Sequence, residues 1–348
     1  MKSTQPFISK NESALFYECG YSCDNAWLLK HENTCFFITD SRYTLEAKQC
    51  CHSHTEIIES NHITQSLIDL IIKLHLKELI CDSAEISFED YQTIQQKTSI
   101  SLQGKPHFHQ HLRILKTDKE IEKIKTSQQI NTQAYEALGN FLQSHYLKPN
   151  QTITEKFLQF QAKIFLQNFG DYDLSFEPIL AINANAAKPH ALPTNDILKP
   201  DDLILFDAGI KFQRYCSDRT RTTLYSENIS FQKDQKFKDT KIQQIYDIVR
   251  KAQEHTITHI RAGMSAKEVD ALARNIISNA SYGNFFTHST GHGIGLDIHE
   301  MPYISPRSQV IIEEGMVFSI EPGIYLPHQF GIRIEDLVVI KNSRAEIL

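Results

Sequence analysis

Two short runs near the N-terminus, AWLLK at 26–30 and TCFFIT at 34–39, are apolar almost throughout. Runs of that length predict buried strands, with the polar HEN between them as a turn. The period then changes. Within ITQSLIDLIIKLHLKEL (63–79), Ile63, Leu67, Leu70, Ile71 and Leu74 fall at helical spacing, and ELICDS (78–83) reads as another strand. Strands and helices alternate over the first ~115 residues, which predicts an α/β unit.

A longer amphipathic pattern fills 116–147. Ile121, Ile124, Ile130, Ala134, Leu138 and Phe141 lie close to one helical face, with Lys and Glu opposite. Thr117 and Glu120 have capping-box spacing at its start. This helix marks the junction between domains, and QGKPHFHQH (103–111) before it predicts a linker. There His107, His109 and His111 form a polar edge, or, as a strand, three imidazoles on one face that could hold a metal. Helices are expected at 154–168, at 240–261 and after Ser265, which shares capping-box spacing with Glu268. Strand-rich stretches run from Phe176 to Leu224 and from Phe285 onward. Helices and strands in blocks, not in strict alternation, predict an α+β second domain. The expected division is 1–115 and 116–348, with no solenoid-type repeat.

Length and composition narrow the function classes. A chain of 348 residues with 41% apolar and 22% charged residues suits a two-domain globular protein. A net charge of −6 without a basic run argues against nucleic acid as a partner. No stretch approaches the ~20 apolar residues of a membrane span, and the first residues lack the apolar core of a signal peptide. The expectation is a cytoplasmic protein away from membranes. Seven cysteines at irregular spacing point to reduced thiols. A zinc site from Cys19, Cys23, Cys50 and Cys51 lacks finger spacing.

The candidate chemistry lies in Asp207, Asp218, His292, Glu321 and Glu335, within LILFDAG, CSDRTRT, STGHGIGLDIHE, FSIEPGIY and GIRIEDLVV. Four buried carboxylates would cost several kcal/mol per unpaired ion, and two divalent cations would neutralise them. Asp207 and Asp218 flank a turn expected near Phe212 and Gln213, and Glu321 and Glu335 flank His328. Residues opposed in a hairpin lie ~5 Å apart, so two such pairs can clasp ions ~3.5–4 Å apart. His292 would add a nitrogen. Mixed carboxylate–imidazole ligation suits Mn, Fe, Co or Zn better than Ca or Mg. Each segment alone also fits an ordinary turn or edge-of-strand charge; their order and spacing together single them out.

These segments, with FEPILAINANAAKPHALPTN, the N-terminal ITDSRYTLEA and the interdomain HLRILKTDKEIEKIK, resemble the pita-bread metallopeptidases. The branch is the Xaa-Pro one, aminopeptidase P and prolidase. The resemblance implies a creatinase-like α/β N-terminal domain and an α+β pita-bread (creatinase/aminopeptidase) catalytic domain. It implies that Asp207 binds one metal, that Asp218 and Glu335 bridge two, and that His292 and Glu321 hold the second. A bridging water would be deprotonated there and attack the carbonyl before proline, with Glu321 as proton shuttle. His190, His288 and His299 would contact substrate or polarise the reacting groups, and Arg333 would orient Glu335 or touch substrate. The implied cofactors are two divalent ions, manganese first, then cobalt, zinc or iron. The implied substrates are short proline-containing peptides, and the implied assembly is a homodimer.

Two positions depart from the family pattern. Asn183 stands where the family often has Gly, a change a left-handed backbone tolerates. Tyr303 stands where archaeal-type prolidases carry an Arg suited to a dipeptide's free carboxylate, with Arg307 as a nearby substitute. The expectation is therefore an Xaa-Pro aminopeptidase, with Xaa-Pro dipeptidase as the alternative. Phe176, Tyr215 and Tyr303 are candidates to line a proline pocket. A metal-free creatine amidinohydrolase or a non-catalytic binding module would have lost ligands, and all five are retained here.

Overall fold

The computed structural model describes residues 5–146, 148 and 152–348, and the chain divides into two compact units, Met1–Arg113 and Ile114–Leu348. The expected helix end at Leu147 and the first four residues lie outside the described set. No described helix is long and apolar enough to cross a membrane.

The first unit runs β1 (Phe7–Ser9), α1 (Glu12–Cys19), β2 (Ala26–His31), β3 (Thr34–Thr39), α2 (Thr44–Cys50), β4 (Thr55–Glu59), α3 (Ile63–Lys73), β5 (Glu78–Cys81), α4 (Phe88–Lys97), β6 (Ser101–Gly104) and α5 (Phe108–Leu112). Its strands form one mixed sheet in the order β4-β3-β2-β1-β5-β6. Successive residues point to opposite faces, and both faces are covered. Ile8, Trp27, Leu29 and Ile38 pack with Leu67 and Ile71 of α3, whereas Phe7, Leu28 and Phe37 pack with Leu15 of α1. Burial on both sides is why AWLLK and TCFFIT read as continuous apolar runs.

Three expectations for this unit change. The apolar spacing through 63–79 overstates its helix, because His75 takes a left-handed φ of 53° and the helix stops at Lys73. QGKPHFHQH is no open linker: Gln103 and Gly104 pair with Ile80 and Cys81, and Phe108–Leu112 is helical. The alternating histidines therefore do not line a strand face. A helix rotates each residue by ~100°, and this carries His109 inward to 2% exposure. Its Nδ1 accepts from Arg113 Nη1 at 2.9 Å, and its Nε2 lies 3.4 Å from Glu18 Oε1. All seven cysteines are free, and Cys19, Cys23, Cys35, Cys81 and Cys216 are buried.

The second unit runs α6 (Asp118–His145), α7 (Glu155–Gln167), β7 (Asp173–Leu174), β8 (Ile179–Ile182), β9 (Leu203–Ala208), β10 (Ile210–Phe212), β11 (Tyr215–Cys216), β12 (Arg219–Leu224), α8 (Thr240–His259), α9 (Ala266–Asn279), β13 (Gly291–Gly293), β14 (Glu300–Ile304), β15 (Val317–Ile320), β16 (Gly323–Leu326), β17 (Phe330–Arg333), β18 (Asp336–Lys341) and β19 (Arg344–Ile347). Capping boxes begin α6 at Thr117/Glu120 and α9 at Ser265/Glu268. The strands pair antiparallel throughout, and helices pack on them in pairs. Leu138 and Leu142 of α6 and Leu158 of α7 bury against Leu180, Ile204 and Phe206 of β8 and β9. Ile245 and Val249 of α8 and Ile277 of α9 bury against Ile324 and Ile332 of β16 and β17. A leucine cut to alanine in such a core costs about 2–5 kcal/mol. The sheets beneath are thus stiff platforms for the polar residues they carry.

Candidate metal centre

The two hairpins differ in turn chemistry, and the turns decide which residues face each other. In β16–β17 the three-residue loop Pro327–Gln329 is centred on His328, which takes a left-handed φ of 61°. Ile320 faces Asp336 and Gly323 faces Arg333 on either side of Glu321 and Glu335, so these two lie opposite one another as expected. In β10–β11 the turn is Gln213-Arg214, both with positive φ (48° and 75°), a two-residue hairpin turn. That moves the turn centre past the expected Phe212-Gln213. Asp207 consequently faces Thr220 instead of Asp218. Asp218 is two residues from that partner, on the same sheet face, a diagonal neighbour still within side-chain reach. The direct opposition expected from the sequence is corrected to a diagonal one.

All five residues nonetheless line one cavity of about 520 Å³. The possible ligand atoms of Asp218, His292 and Glu335 lie within 4.8 Å of one another. His292 Nδ1 donates to the Gly293 carbonyl at 3.1 Å, which aims Nε2 at Asp218 Oδ2 (3.5 Å) and Glu321 Oε1 (3.4 Å). The glycines flanking His292 are required by crowding. A Cβ on Gly291 would lie 1.8 Å from the Ser319 carbonyl oxygen, and one on Gly293 2.2 Å from that of Met301.

The electrostatics carry the same message. Burial, then the charges of Asp207 and Glu321, push Asp218 well above the ordinary carboxylate range. Burial, then Asp218 and Glu321, do the same to Glu335, and burial also raises Glu321. Asp207 Oδ1, Asp218 Oδ1 and Glu335 Oε1 are buried with no hydrogen-bond partner. Buried acceptors are normally satisfied, and one left bare costs about 1–3 kcal/mol or more when charged. Three such oxygens beside an imidazole nitrogen fit divalent cations.

Second contacts fix the carboxylates. Arg333 Nη2 donates to Asp207 Oδ2 at 2.6 Å, and its Nε donates to Thr220 Oγ1 at 3.0 Å. Thr220 Oγ1 in turn donates to Glu335 Oε2 at 2.7 Å. Arg333 Nη1 reaches the Tyr325 hydroxyl at 2.7 Å and the Pro189 carbonyl at 3.3 Å. His288 is engaged at both nitrogens, Nδ1 with the Ser289 carbonyl and Nε2 with the Tyr325 hydroxyl, each at 2.8 Å. Burial and Arg333 lower its pKa to about 3, and burial and His292 lower that of His299 to about 4. Both are neutral at pH 7.

His190, His288, His299, Tyr303 and Phe176 line the same cavity. Tyr215 is not among the lining residues; it is buried, and its hydroxyl donates to Glu120 Oε1 at 3.1 Å. Arg307 is exposed and is also outside the lining. Asn183 keeps its turn with a φ of 46°, its side chain bonded to Asp202 and to the Leu203 N–H.

The sequence reading missed the support from α6 and from Tyr325. Gln128 bonds the Asp218 main chain in both directions, at 2.8 and 3.3 Å. Ser127 donates to the Ile210 carbonyl and Asn131 to that of Ala208. Tyr135 donates to the carbonyls of Phe206 and Arg219. A signal existed. Ser127, Gln128 and Asn131 are polar residues on the face that otherwise carries Ile124 and Ala134.

The comparisons with known proteins agree with this geometry. The chain is 32% identical over 308 residues to an uncharacterised peptidase of Bacillus subtilis, spanning 88% of this chain and 82% of that one. An Xaa-Pro dipeptidase structure from Bacillus anthracis superposes with a TM-score of 0.87 at 29% identity, over 99% of this chain and 92% of that one. An X-Pro aminopeptidase structure from Thermotoga maritima gives 0.85 at 30% identity, over 99% and 95%. The fold is the pita-bread fold with its α/β N-terminal unit. The sequence model of metallopeptidase family M24 matches residues 122–342; the chain belongs to that family and is a metallopeptidase.

Proposed function

We propose that the chain is a dinuclear-metal Xaa-Pro aminopeptidase, removing the first residue from peptides with proline second. Asp207 would hold one ion, Asp218 and Glu335 both, and His292 and Glu321 the other. Manganese is the first expectation, with cobalt, zinc and iron as alternatives. The observation that carries this reading is the set of three bare carboxylate oxygens and one aimed imidazole nitrogen in a single cavity.

Divalent ions in such a site offset the carboxylate charge and bring the pKa of water toward neutrality. The chain's own groups supply the rest. Glu321, raised by burial, exchanges a proton within reach of the scissile bond. His299, neutral and at the cavity wall, hydrogen-bonds the developing oxyanion or the leaving nitrogen. Four of the five N–H donors of Arg333 go to Asp207, Thr220, Tyr325 and Pro189, so it orients ligands and has no two-donor fork left for substrate. Both nitrogens of His288 are engaged, so it acts on Tyr325 and through it on Arg333. A proline amide has no N–H and a fixed φ; an apolar wall of Phe176, Ile179 and Leu192 accepts its ring.

The preference for peptides longer than two residues rests on charge. Among the lining residues Arg333 is the sole guanidinium or ammonium group, and it is occupied. A dipeptide's carboxylate would find no ion-pair partner there. Assays of Xaa-Pro against Xaa-Pro-Xaa peptides with Mn(II) decide between the two readings, and turnover of the dipeptide alone would reverse the assignment. Tyr303→Arg should shift kcat/KM toward the dipeptide by roughly tenfold, the worth of one charge-assisted hydrogen bond.

A further inference from the structure

Asp270 is an anomaly on α9. That helix buries Ala266, Val269, Ala273 and Ile277, and Asp270 lies among them at 1% exposure. A carboxylate there needs full compensation. Arg274, one turn later, grips it with two parallel bonds, Nε to Oδ2 at 2.7 Å and Nη2 to Oδ1 at 2.9 Å. The pair then reaches outward. Arg274 Nη1 donates to the Phe286 carbonyl at 3.1 Å and Nη2 to the His288 carbonyl at 2.8 Å, with the guanidinium 4.3 Å from the Phe286 ring centre. Asp270 Oδ1 accepts from Thr290 Oγ1 at 2.8 Å and from the Thr290 N–H at 3.2 Å.

These bonds take hold of residues 286, 288 and 290, alternate positions of one stretch of chain. That stretch leads directly into β13 and His292. Its last carbonyl, on Thr290, accepts the Glu321 N–H at 2.8 Å. One ion pair on one helix therefore sets the backbone beside His288, His292 and Glu321. Neither Asp270 nor Arg274 lines the cavity, so neither touches a substrate.

We propose that Asp270 and Arg274 are positioning residues, which hold the 286–290 backbone so that His292 and Glu321 meet the metal and His288 meets Tyr325. The proposal rests on the metallopeptidase reading above. A buried ion pair needs its other donors and acceptors satisfied in any case, and what distinguishes this one is where they go. Here the remaining donors and acceptors are spent on the one segment that carries the site.

The test uses Arg274→Lys, which keeps the charge but loses the fork, and Thr290→Val, which removes a single hydroxyl with little change of shape. Each full-length variant is stripped of metal and titrated with Co(II), followed by its visible d–d absorption and by calorimetry. Turnover of an Xaa-Pro-Xaa peptide is then measured on the folded, loaded protein. Supporting contacts of metal ligands are typically worth about 10–100-fold. Arg274→Lys should weaken Co(II) binding or lower kcat by about that factor, alter the cobalt spectrum, and leave KM within roughly twofold. Thr290→Val should act in the same direction by roughly two- to tenfold, the worth of one hydrogen bond. Variants that melt earlier but keep the wild-type cobalt spectrum, Co(II) affinity and kcat would overturn the proposal while leaving the metallopeptidase reading intact. Wild-type protein that bound no Co(II) would overturn both.

Discussion

Each unit of this chain buries a cluster of titratable groups, and the two clusters are balanced in opposite ways. In the N-terminal unit Glu18 faces Lys30 Nζ at 3.5 Å and His109 Nε2 at 3.4 Å, and Arg113 donates to the other nitrogen of His109 at 2.9 Å. In the catalytic unit four carboxylates surround His292 and the occupied Arg333, and three of their oxygens have no partner. Burial acts on both clusters in the same sense. On Glu18 it pushes the pKa upward, yet His109 and Lys30 outweigh it and the carboxyl sits below its ordinary value. On Asp218 and Glu335 the neighbours are anions, and both carboxyls rise well above theirs. The lesson is that buried charge by itself marks nothing. What marks a functional centre is buried charge that the chain leaves uncompensated.

Removing charge from the uncompensated cluster tests this most severely. Asp218→Asn keeps the shape and deletes one anion. Peptide cleavage with Mn(II) should fall on the order of 10³-fold or more, because charge placed for water activation is worth several kcal/mol. The metal-free variant should meanwhile unfold at a higher temperature than metal-free wild type, since a repelling neighbour has gone. Wild-type turnover in Asp218→Asn would end the mechanism. A lower melting temperature would break the comparison, since it would mean that the anion was already compensated.

Metal itself should give the next largest effect. At a hundredfold excess over Kd, a ligand that binds only the folded state stabilises it by about 2.7 kcal/mol. Chelation should therefore lower the melting temperature of the wild type and Mn(II) should restore it. His292→Ala, which removes the aimed nitrogen, should shrink that recovery. Equal recovery in His292→Ala would place the ions elsewhere.

How much of this was legible in the sequence follows the same division. The strands at 26–31 and 34–39 and the capped starts of α6 and α9 are local patterns, and they appear where the sequence indicates. The carboxylates were legible because each lies in a short motif, and the odd-numbered loop around His328 made one pairing simple to infer. The other pairing failed by one turn residue. Gln213 and Arg214 both adopt left-handed angles, which their residue types do not announce, and a register shift moves every partner with it. His109 was misread for a related reason. Its compensation comes from Glu18 and Arg113, and Glu18 is 91 residues away, a separation at which no spacing rule operates. The pairing of Gln128 with Asp218, 90 residues apart, was hidden for the same reason, although a polar residue on an apolar helix face was a visible hint.

The smallest expected effect lies in the compensated cluster, and there pH supplies the control. The folded pKa of Glu18 is depressed, so its contribution to stability is present above the unfolded value of about 4.3 and is lost as pH falls through the folded one. Glu18→Gln removes the charge and keeps one oxygen for His109. At pH 7 the variant should be less stable than wild type by about 1.5 kcal/mol, the worth of a charge-assisted hydrogen bond. Below about pH 4 the gap should narrow, and it should close once the wild-type carboxyl is itself protonated. Denaturant melts at several pH values read this directly. Turnover per folded molecule should not change at any of them, because Glu18 stabilises a cluster that is already complete. A gap that stayed constant down to pH 2 would assign the loss to packing, and the Glu18 charge would then have no part in holding His109.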